Sequence, residues 1–365
     1  MMGMKETVVN IKRYGMLISL ALAANAHAQS SVEIYGIIDT GVMYVSNVGG
    51  HSNWLADPGT AAPNLFGFRG TEDLGGGLKA IFKLEGMFNM NNGASINGLF
   101  GHETYVGLRD DKWGTLTAGN QIDFMFYSLV VDHWGPAFPF VSSVSLRQGS
   151  FSGLNIPGPP GNNSFDFDRA LGVPIGNSVK YVSPTIAGLS VGAQYSFGGQ
   201  PGAFGQDSGK SFGINYHIGT VALNGAYTFV KYPEINNGND GIRNMGLAAS
   251  WVVGPVELAT MYTNTQNTAN GARVAVYEGD VTWTVSPFLH ANIAYQYMKG
   301  NDVLKNQKAN QETVSLTYSL SKRTSLYSNL VFQQASGGPA WILMAPGQAS
   351  GGRQTVANFG LLHVF

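Results

Sequence analysis

Charged side chains make up only 12% of this 365-residue chain, and many of them gather at a few places. On stretches of alternating polarity stand Asp39, Arg69, Lys83, Glu85, Glu103 and Lys180. A long segment from about 121 to 175 adds Asp123, Asp132, Asp166, Asp168 and Arg169. Opposed charges of this kind need no cofactor to act on one another: held close together, they make a strong local field. Bond-making chemistry has less support. Beyond residue 28 the histidines are His51, His102, His133, His217, His290 and His363, and none has the company of a nucleophile or a metal site. There is no Gly-x-Ser-x-Gly elbow and no His-Glu-x-x-His pair. Cysteine is absent, which excludes disulfides, zinc-thiolate sites and cysteine nucleophiles together. Gly75-Gly76-Gly77 and Gly198-Gly199 lack the lysine and hydroxyl of a phosphate loop and read as turns. The reading is therefore no enzyme, no cofactor and no metal. His102 could gain charge as pH falls through neutrality, although most lone histidines act as no such switch.

The elements that must position these charges are strands. In Ser31–Tyr44 the even positions Val32, Ile34, Ile38, Val42 and Tyr44 are apolar, while the odd ones include Glu33, Tyr35, Asp39 and Met43, so one face is greasy and the other mixed. The same alternation sets Val221, Leu223, Tyr227 and Phe229 against Asn224 and Thr228. It also sets Leu289, Ile293, Tyr295 and Tyr297 against Asn292, Gln296 and Met298. Val314, Leu316, Tyr318 and Leu320 lead through the turn Ser321-Lys322-Arg323-Thr324 into Leu326, Leu330 and Phe332, a hairpin. Short turns recur at Asp73–Gly77, Val253–Pro255 and Ser286–Pro287, while longer polar loops such as Tyr232–Arg243 lie between them. Short turns at one end and long loops at the other are a transmembrane barrel's asymmetry. The chain has 49 glycines, 16 tyrosines and 20 phenylalanines, which suits tight turns and aromatic girdles.

Both ends agree with that placement. Lys5, Lys12 and Arg13 precede an apolar run from Tyr14 to Ala24 and then Ala26-His27-Ala28, which reads as a cleaved export signal over residues 1–28. The run is shorter than the roughly 20 residues that would span a bilayer. Cleavage would leave 18 Lys+Arg against 21 Asp+Glu, not the balance of a nucleic-acid binder. Residues 29–365 then form one all-β domain, and Phe359–Phe365 is a terminal aromatic strand. A soluble β sandwich could alternate too, but would not need aromatics at nearly every strand end.

Over this whole stretch the chain resembles the trimeric general porins of Gram-negative bacteria, in the group found in Burkholderia and Bordetella. The residues that carry the likeness are Val32–Asp39, Phe66-Gly67-Phe68-Arg69-Gly70-Thr71-Glu72-Asp73-Leu74-Gly75-Gly76-Gly77-Leu78-Lys79-Ala80, Tyr105–Leu108, Gly114–Thr117, Phe165–Arg169, Asn177–Tyr181 and Leu320–Thr324. The resemblance implies a transmembrane antiparallel β-barrel of about 16 strands with a water-filled lumen, assembled as a homotrimer in the cell outer membrane. It implies passive diffusion of small solutes and ions, contact with lipid and lipopolysaccharide, and delivery by the barrel-assembly machinery through the strand ending in Phe365. It also implies that the third long loop, here about 121–175, folds into the lumen as a constriction.

In such porins a ladder of basic wall residues faces carboxylates on that loop. Here Leu65, His102 and Asn120 stand where the family has arginine. Pro174, Leu362 and Val364 occupy further positions that are commonly basic. The candidate pore residues are Asp39, Arg69, Lys83, Glu85, His102, Asn120, Asp123, Asp166, Asp168, Arg169 and Lys180. Thinned of arginine, the wall predicts weak anion preference or a neutral to cation-leaning pore. The rival reading lets Arg69, Arg169 and Lys180 supply the whole positive field. The aromatics of the loop, Phe124, Phe126, Tyr127, Trp134, Phe138, Phe140, Phe151, Phe165 and Phe167, either pack it to the wall or line a partly apolar constriction. A second class of function is a substrate-specific channel with a saturable site for uncharged or aromatic solutes. A third is an adhesin or structural barrel that uses loops His51–Pro63 and Asn264–Ala272.

Overall fold

Alternation of this length, carried through almost the whole chain, has one economical outcome in a membrane: each strand bonds to its neighbours and the last closes on the first. The structure is a computed structural model that describes residues 31–140, 149, 151–157 and 166–365. Residues 1–28, read as an export signal, lie outside that range, as do Phe165 and residues 141–148, 150 and 158–164 of the long connection.

The first strands are β1 (Ser31–Val48), β2 (His51–Asp57), β3 (Leu65–Gly75), β4 (Leu78–Phe88), β5 (Ser95–Ile96), β6 (Glu103–Asp110) and β7 (Gly114–Ile122). After the long connection come β8 (Pro174–Val182), β9 (Leu189–Ser196), β10 (Gly209–Ile218), β11 (Val221–Lys231), β12 (Gly241–Val253) and β13 (Val256–Asn267). The remainder are β14 (Arg273–Ser286), β15 (Leu289–Gly300), β16 (Lys308–Ser319), β17 (Thr324–Ser336) and β18 (Arg353–Val364). These eighteen segments fill sixteen wall positions, because β2 and β3 share the place beside β1 and β5 is a two-residue appendage of β4.

All pairings are antiparallel, and β1 closes the barrel on β18 from Ile37↔Val364 to Val45↔Val356. Closure matters in lipid, where each backbone group left without a partner costs several kcal/mol. The turns that follow β3, β12 and β14 are short, and the opposite end carries the long connections, the asymmetry expected from the turn chemistry. Among the described residues no helix is long and apolar enough to cross a membrane.

The two faces separate as the alternation predicts. Val32, Ile34, Val42, Leu223, Ile293, Tyr295, Val314, Leu316, Tyr318 and Leu330 stand exposed on one face. Asp39, Asn224, Thr228, Asn292, Gln296, Ser315 and Asn329 are buried on the other. At residues 58–64 the wall is interrupted, where the chain leaves β2 before re-entering as β3. Asn64 fills the gap in the ladder: its Oδ1 accepts from the Asp39 backbone N–H at 2.7 Å and its Nδ2 donates to the Asp39 carbonyl at 2.9 Å.

Candidate functional site

Strand register assembles the charges. Glu33 on β1, Arg69 on β3, Lys83 on β4 and Tyr105 on β6 are direct cross-strand neighbours in one row. Tyr35, Gly67, Glu85 and Glu103 form the next row toward the long loops. Two cations side by side would repel, and the carboxylates around them remove that cost. Arg69 Nε lies 2.8 Å from Glu33 and its guanidinium sits 4.8 Å from the Tyr35 ring centre. Lys83 Nζ lies 2.7 Å from Glu103 and 3.1 Å from Glu85. The Tyr35 hydroxyl donates to Glu85 at 2.7 Å, and His102 Nδ1 lies 2.5 Å from the other oxygen of the same carboxylate. Asn120 Nδ2 donates to the carbonyls of Gly101 and His102, so it positions the histidine and carries no charge itself. The Arg69–Glu33 pair is more than half exposed and contributes little to stability, whereas Glu85 and Glu103 are 3% and 2% exposed and act at close quarters.

The long connection begins by docking onto this ladder. Asp123 caps the single helical turn Phe124–Phe126, accepting from the Met125 N–H at 2.9 Å. Further along, the Tyr127 hydroxyl donates to Glu103 at 2.9 Å. Lys180 Nζ donates to the Ile122 carbonyl at 2.8 Å and sits 4.1 Å from the Tyr127 ring centre and 4.9 Å from that of Phe124. A desolvated ammonium over two rings is a favourable cation–π arrangement. Phe124 owes its seat to two glycines, because a Cβ added at Gly192 or Gly213 would come within 2.1 or 2.5 Å of its ring.

Polar-face residues of β11, β12 and β13 then grip the same connection. Asn224 donates to Asp132, Ser250 to the His133 carbonyl, Asn244 and Thr265 to the Phe167 carbonyl, Thr263 to Asp168, and Asn267 to the Leu154 carbonyl. Phe124, Met125, Leu129, Val130 and Trp134 pack with Ala226, Ala248, Ala259 and Met261 of those strands. Arg169, held at a φ of +63°, pairs with Asp123 and donates to the Val173 carbonyl at 2.5 Å, closing the base of the connection. Burial, reinforced by the charge of Asp168, pushes the Asp166 carboxyl up to about 7. Burial alone brings His133 down to about 4, and neither of its ring nitrogens has a hydrogen-bond partner among the described residues.

The anticipated residues thus fall into three groups. Arg69, Lys83, Glu85 and His102 stand together, with Asn120 behind the histidine and Lys180 linking the ladder to the connection. Asp123, Asp166, Asp168 and Arg169 belong to the connection itself. Asp39 stands apart from both, fully buried, with its carboxylate taken up by the backbone N–H groups of Ala61 and Ala62 and by the Tyr327 hydroxyl at 2.7 Å. Beside it Asp57 accepts from Gly59, Thr60 and Asn358. This cluster clasps β1 and β2 to β17 and β18. Replacing Tyr327 by phenylalanine should therefore cost about 1–3 kcal/mol, read as an earlier urea or thermal midpoint of the folded barrel. An unchanged midpoint would refute that role.

Glu33 and Tyr35 complete the ladder and were not among the candidate pore residues, while Tyr127, one of the loop aromatics, meets it from the connection. The alternation placed Glu33 and Tyr35 on the inner face, but only register shows what they touch.

Residues 16–338 match the family described as Gram-negative porin. An outer membrane porin protein of Bordetella pertussis is 29% identical over 364 residues, covering 84% of this chain and 89% of that one. Outer membrane porin protein 32 of Delftia acidovorans is 28% identical, covering 95% and 97%. Among solved structures, an anion-selective porin from Comamonas acidovorans superposes with a TM-score of 0.78 at 23% identity, over 92% of this chain and all of that one.

Proposed function

From the premise that the chain belongs to the Gram-negative porin family and resides in the outer membrane, we propose a homotrimeric channel for passive diffusion of small hydrophilic solutes and ions, with little anion preference. In this reading the 121–175 connection lies inside the barrel and narrows it against the ladder of β1, β3, β4 and β6. The outer face meets lipid and lipopolysaccharide, and the strand ending in Phe365 is recognised by the barrel-assembly machinery.

The observation that carries the selectivity is pairing: Arg69 with Glu33, Lys83 with Glu85 and Glu103, and Arg169 with Asp123. A cation matched by a carboxylate at contact distance leaves a dipole rather than a net charge, and its field falls off faster with distance than that of a free cation. The Comamonas protein is described as anion-selective, and this chain should differ from it. Single-channel recording of the purified protein under a salt gradient should give large steps with a reversal potential near zero or leaning to cations. A reversal potential strongly favouring anions would refute the selectivity and leave the channel. Lys83→Gln should shift the potential further toward cations, because Glu85 and Glu103 then lose their shared ammonium.

A substrate-specific channel is the second reading, favoured by the Tyr35 and Tyr127 rings set against the charges of the ladder. Saturable flux of one uncharged or aromatic solute, against linear flux of others, would establish it.

A further inference from the structure

We propose that the segment between β17 and β18, residues 337–352, is a second fixed partition inside the barrel and sets the pore's size together with the 121–175 connection. The proposal rests on the channel reading above, and its test separates the two.

A loop at the long-loop end of a barrel faces water by default and has no reason to be apolar. This one reads Trp341-Ile342-Leu343-Met344-Ala345, and Ala340, Ile342 and Leu343 are 0% exposed. Ile342 and Ala345 pack with Met43 and Val45 of β1, Val331 of β17 and Val356 of β18, with Val48, Leu55, Trp341 and Met344 at the margin. Those strand residues share their face with Asp39, Asn329 and Asn358 and oppose the exposed Val42, Leu330 and Phe359, so the loop covers the polar face of the wall. Four apolar side chains facing a water-filled lumen would be an anomaly, and the loop removes it by burying them.

Polar groups then fix the loop in place. Gln333 of β17 accepts from the Trp341 N–H at 2.7 Å and donates to the Trp341 carbonyl at 3.1 Å. Gln354 of β18 accepts from the Ile342 N–H at 2.7 Å and donates to the carbonyls of Gly347 at 3.0 Å and Asn47 at 2.7 Å. Gln333 also donates to Gln311 of β16, which donates to Gln296 of β15, so the clamp continues across three strands. An amide that serves both the N–H and the carbonyl of one residue fixes register as well as proximity. With the described parts of the connection after β7 seated on β9 to β16 and this loop on β17, β18 and β1, the charged ladder of β1, β3, β4 and β6 is the wall left for a solute to pass.

The loop's own geometry supplies the excision. Ala349 N–H donates to the Ala340 carbonyl at 2.9 Å, so residues 341–348 can be removed and the ends joined by a short glycine-serine link. Single-channel conductance should rise several-fold and the size cut-off for uncharged sugars in liposome swelling should move upward. The reversal potential should stay where it was, since the ladder is untouched. If the unaltered protein conducts and the excised one keeps the same conductance and cut-off, the inference falls. If the unaltered protein does not conduct at all, the channel reading fails instead. Should the excised chain not fold, Gln333→Ala with Gln354→Ala leaves the apolar residues in place and removes the clamp. That variant should give raised or flickering conductance, and steady openings of unaltered size would overturn the proposal.

Discussion

Arg169→Met should destabilise the docked 121–175 connection by about 3–5 kcal/mol, an effect near the upper end of what one side chain does, because it leaves a buried carboxylate without its partner. Asp123 is 1% exposed and pairs with Arg169, and Asp166 and Asp168 lie close by in the same buried turn. The guanidinium also satisfies the Val173 carbonyl at 2.5 Å, and methionine offers no donor to replace it. Opening should appear as lost hydrogen-exchange protection of Phe124–Asp132 and as noisy conductance. The barrel should remain folded, since Arg169 touches no ladder between strands. Adding Asp123→Asn should recover much of the loss, because asparagine keeps the cap on Met125 and carries no charge to strand. A single variant with protection unchanged, or a double variant as open as the single, would contradict this account of the pair.

How far such roles could be read in advance depends on whether they are local. Strands and their two faces follow from period-two alternation and short turns, which neighbouring residues express directly, as at Ser321–Thr324 between β16 and β17, whereas the number sixteen came from the family resemblance. The cations Arg69, Lys83, Arg169 and Lys180 were visible as scarce charges, three of them within a few residues of carboxylates such as Glu72, Glu85 and Asp168. Their partners were less visible. Glu33 meets Arg69 only because β1 changes partner, pairing Ser31–Ile37 with Leu65–Thr71 of β3 and the residues from Gly41 onward with β2, a change that no periodicity announces.

Asp39 was read as a pore charge because its parity puts it inside, yet parity says nothing of Tyr327, 288 residues away, which takes its carboxylate. The apolar residues of the 337–352 loop have no periodic signature, and their place against Met43 and Val356 depends on closure of β1 on β18. Leu65, where the family resemblance implied an arginine, is a buried residue of β3 and adds no charge. Face and strand order were legible, and contacts made by register between distant strands were not.

The second large effect concerns pH, where two buried groups of the connection act in opposite directions. Asp166 is held at about 7 against an ordinary 3.8, so the docked connection carries a proton that the undocked one lacks. Its contribution is fully present below about 3.8 and is lost as pH rises through 7. His133 is held at about 4 against an ordinary 6.5, so the docked connection lacks a proton that the undocked one carries. Its contribution is fully present above 6.5 and is lost as pH falls through 4.

At about 1.4 kcal/mol per unit of displacement, His133 is worth on the order of 3.5 kcal/mol over its window and Asp166 on the order of 4.5 kcal/mol. The windows overlap between pH 4 and 6.5, where the two slopes cancel. Docking of the unaltered chain, followed by hydrogen exchange of Phe124–Asp132, should therefore be nearly flat across that interval. His133→Leu should leave Asp166 unopposed, so docking tightens by roughly 3 kcal/mol as pH falls from 6.5 to 4. Asp166→Asn should leave His133 unopposed, so docking loosens by a similar amount over the same interval and conductance grows unsteady in acid. Opposite slopes in the two variants around a flat parent would be hard to obtain from any exposed group, and parallel slopes would show that neither residue governs the docking.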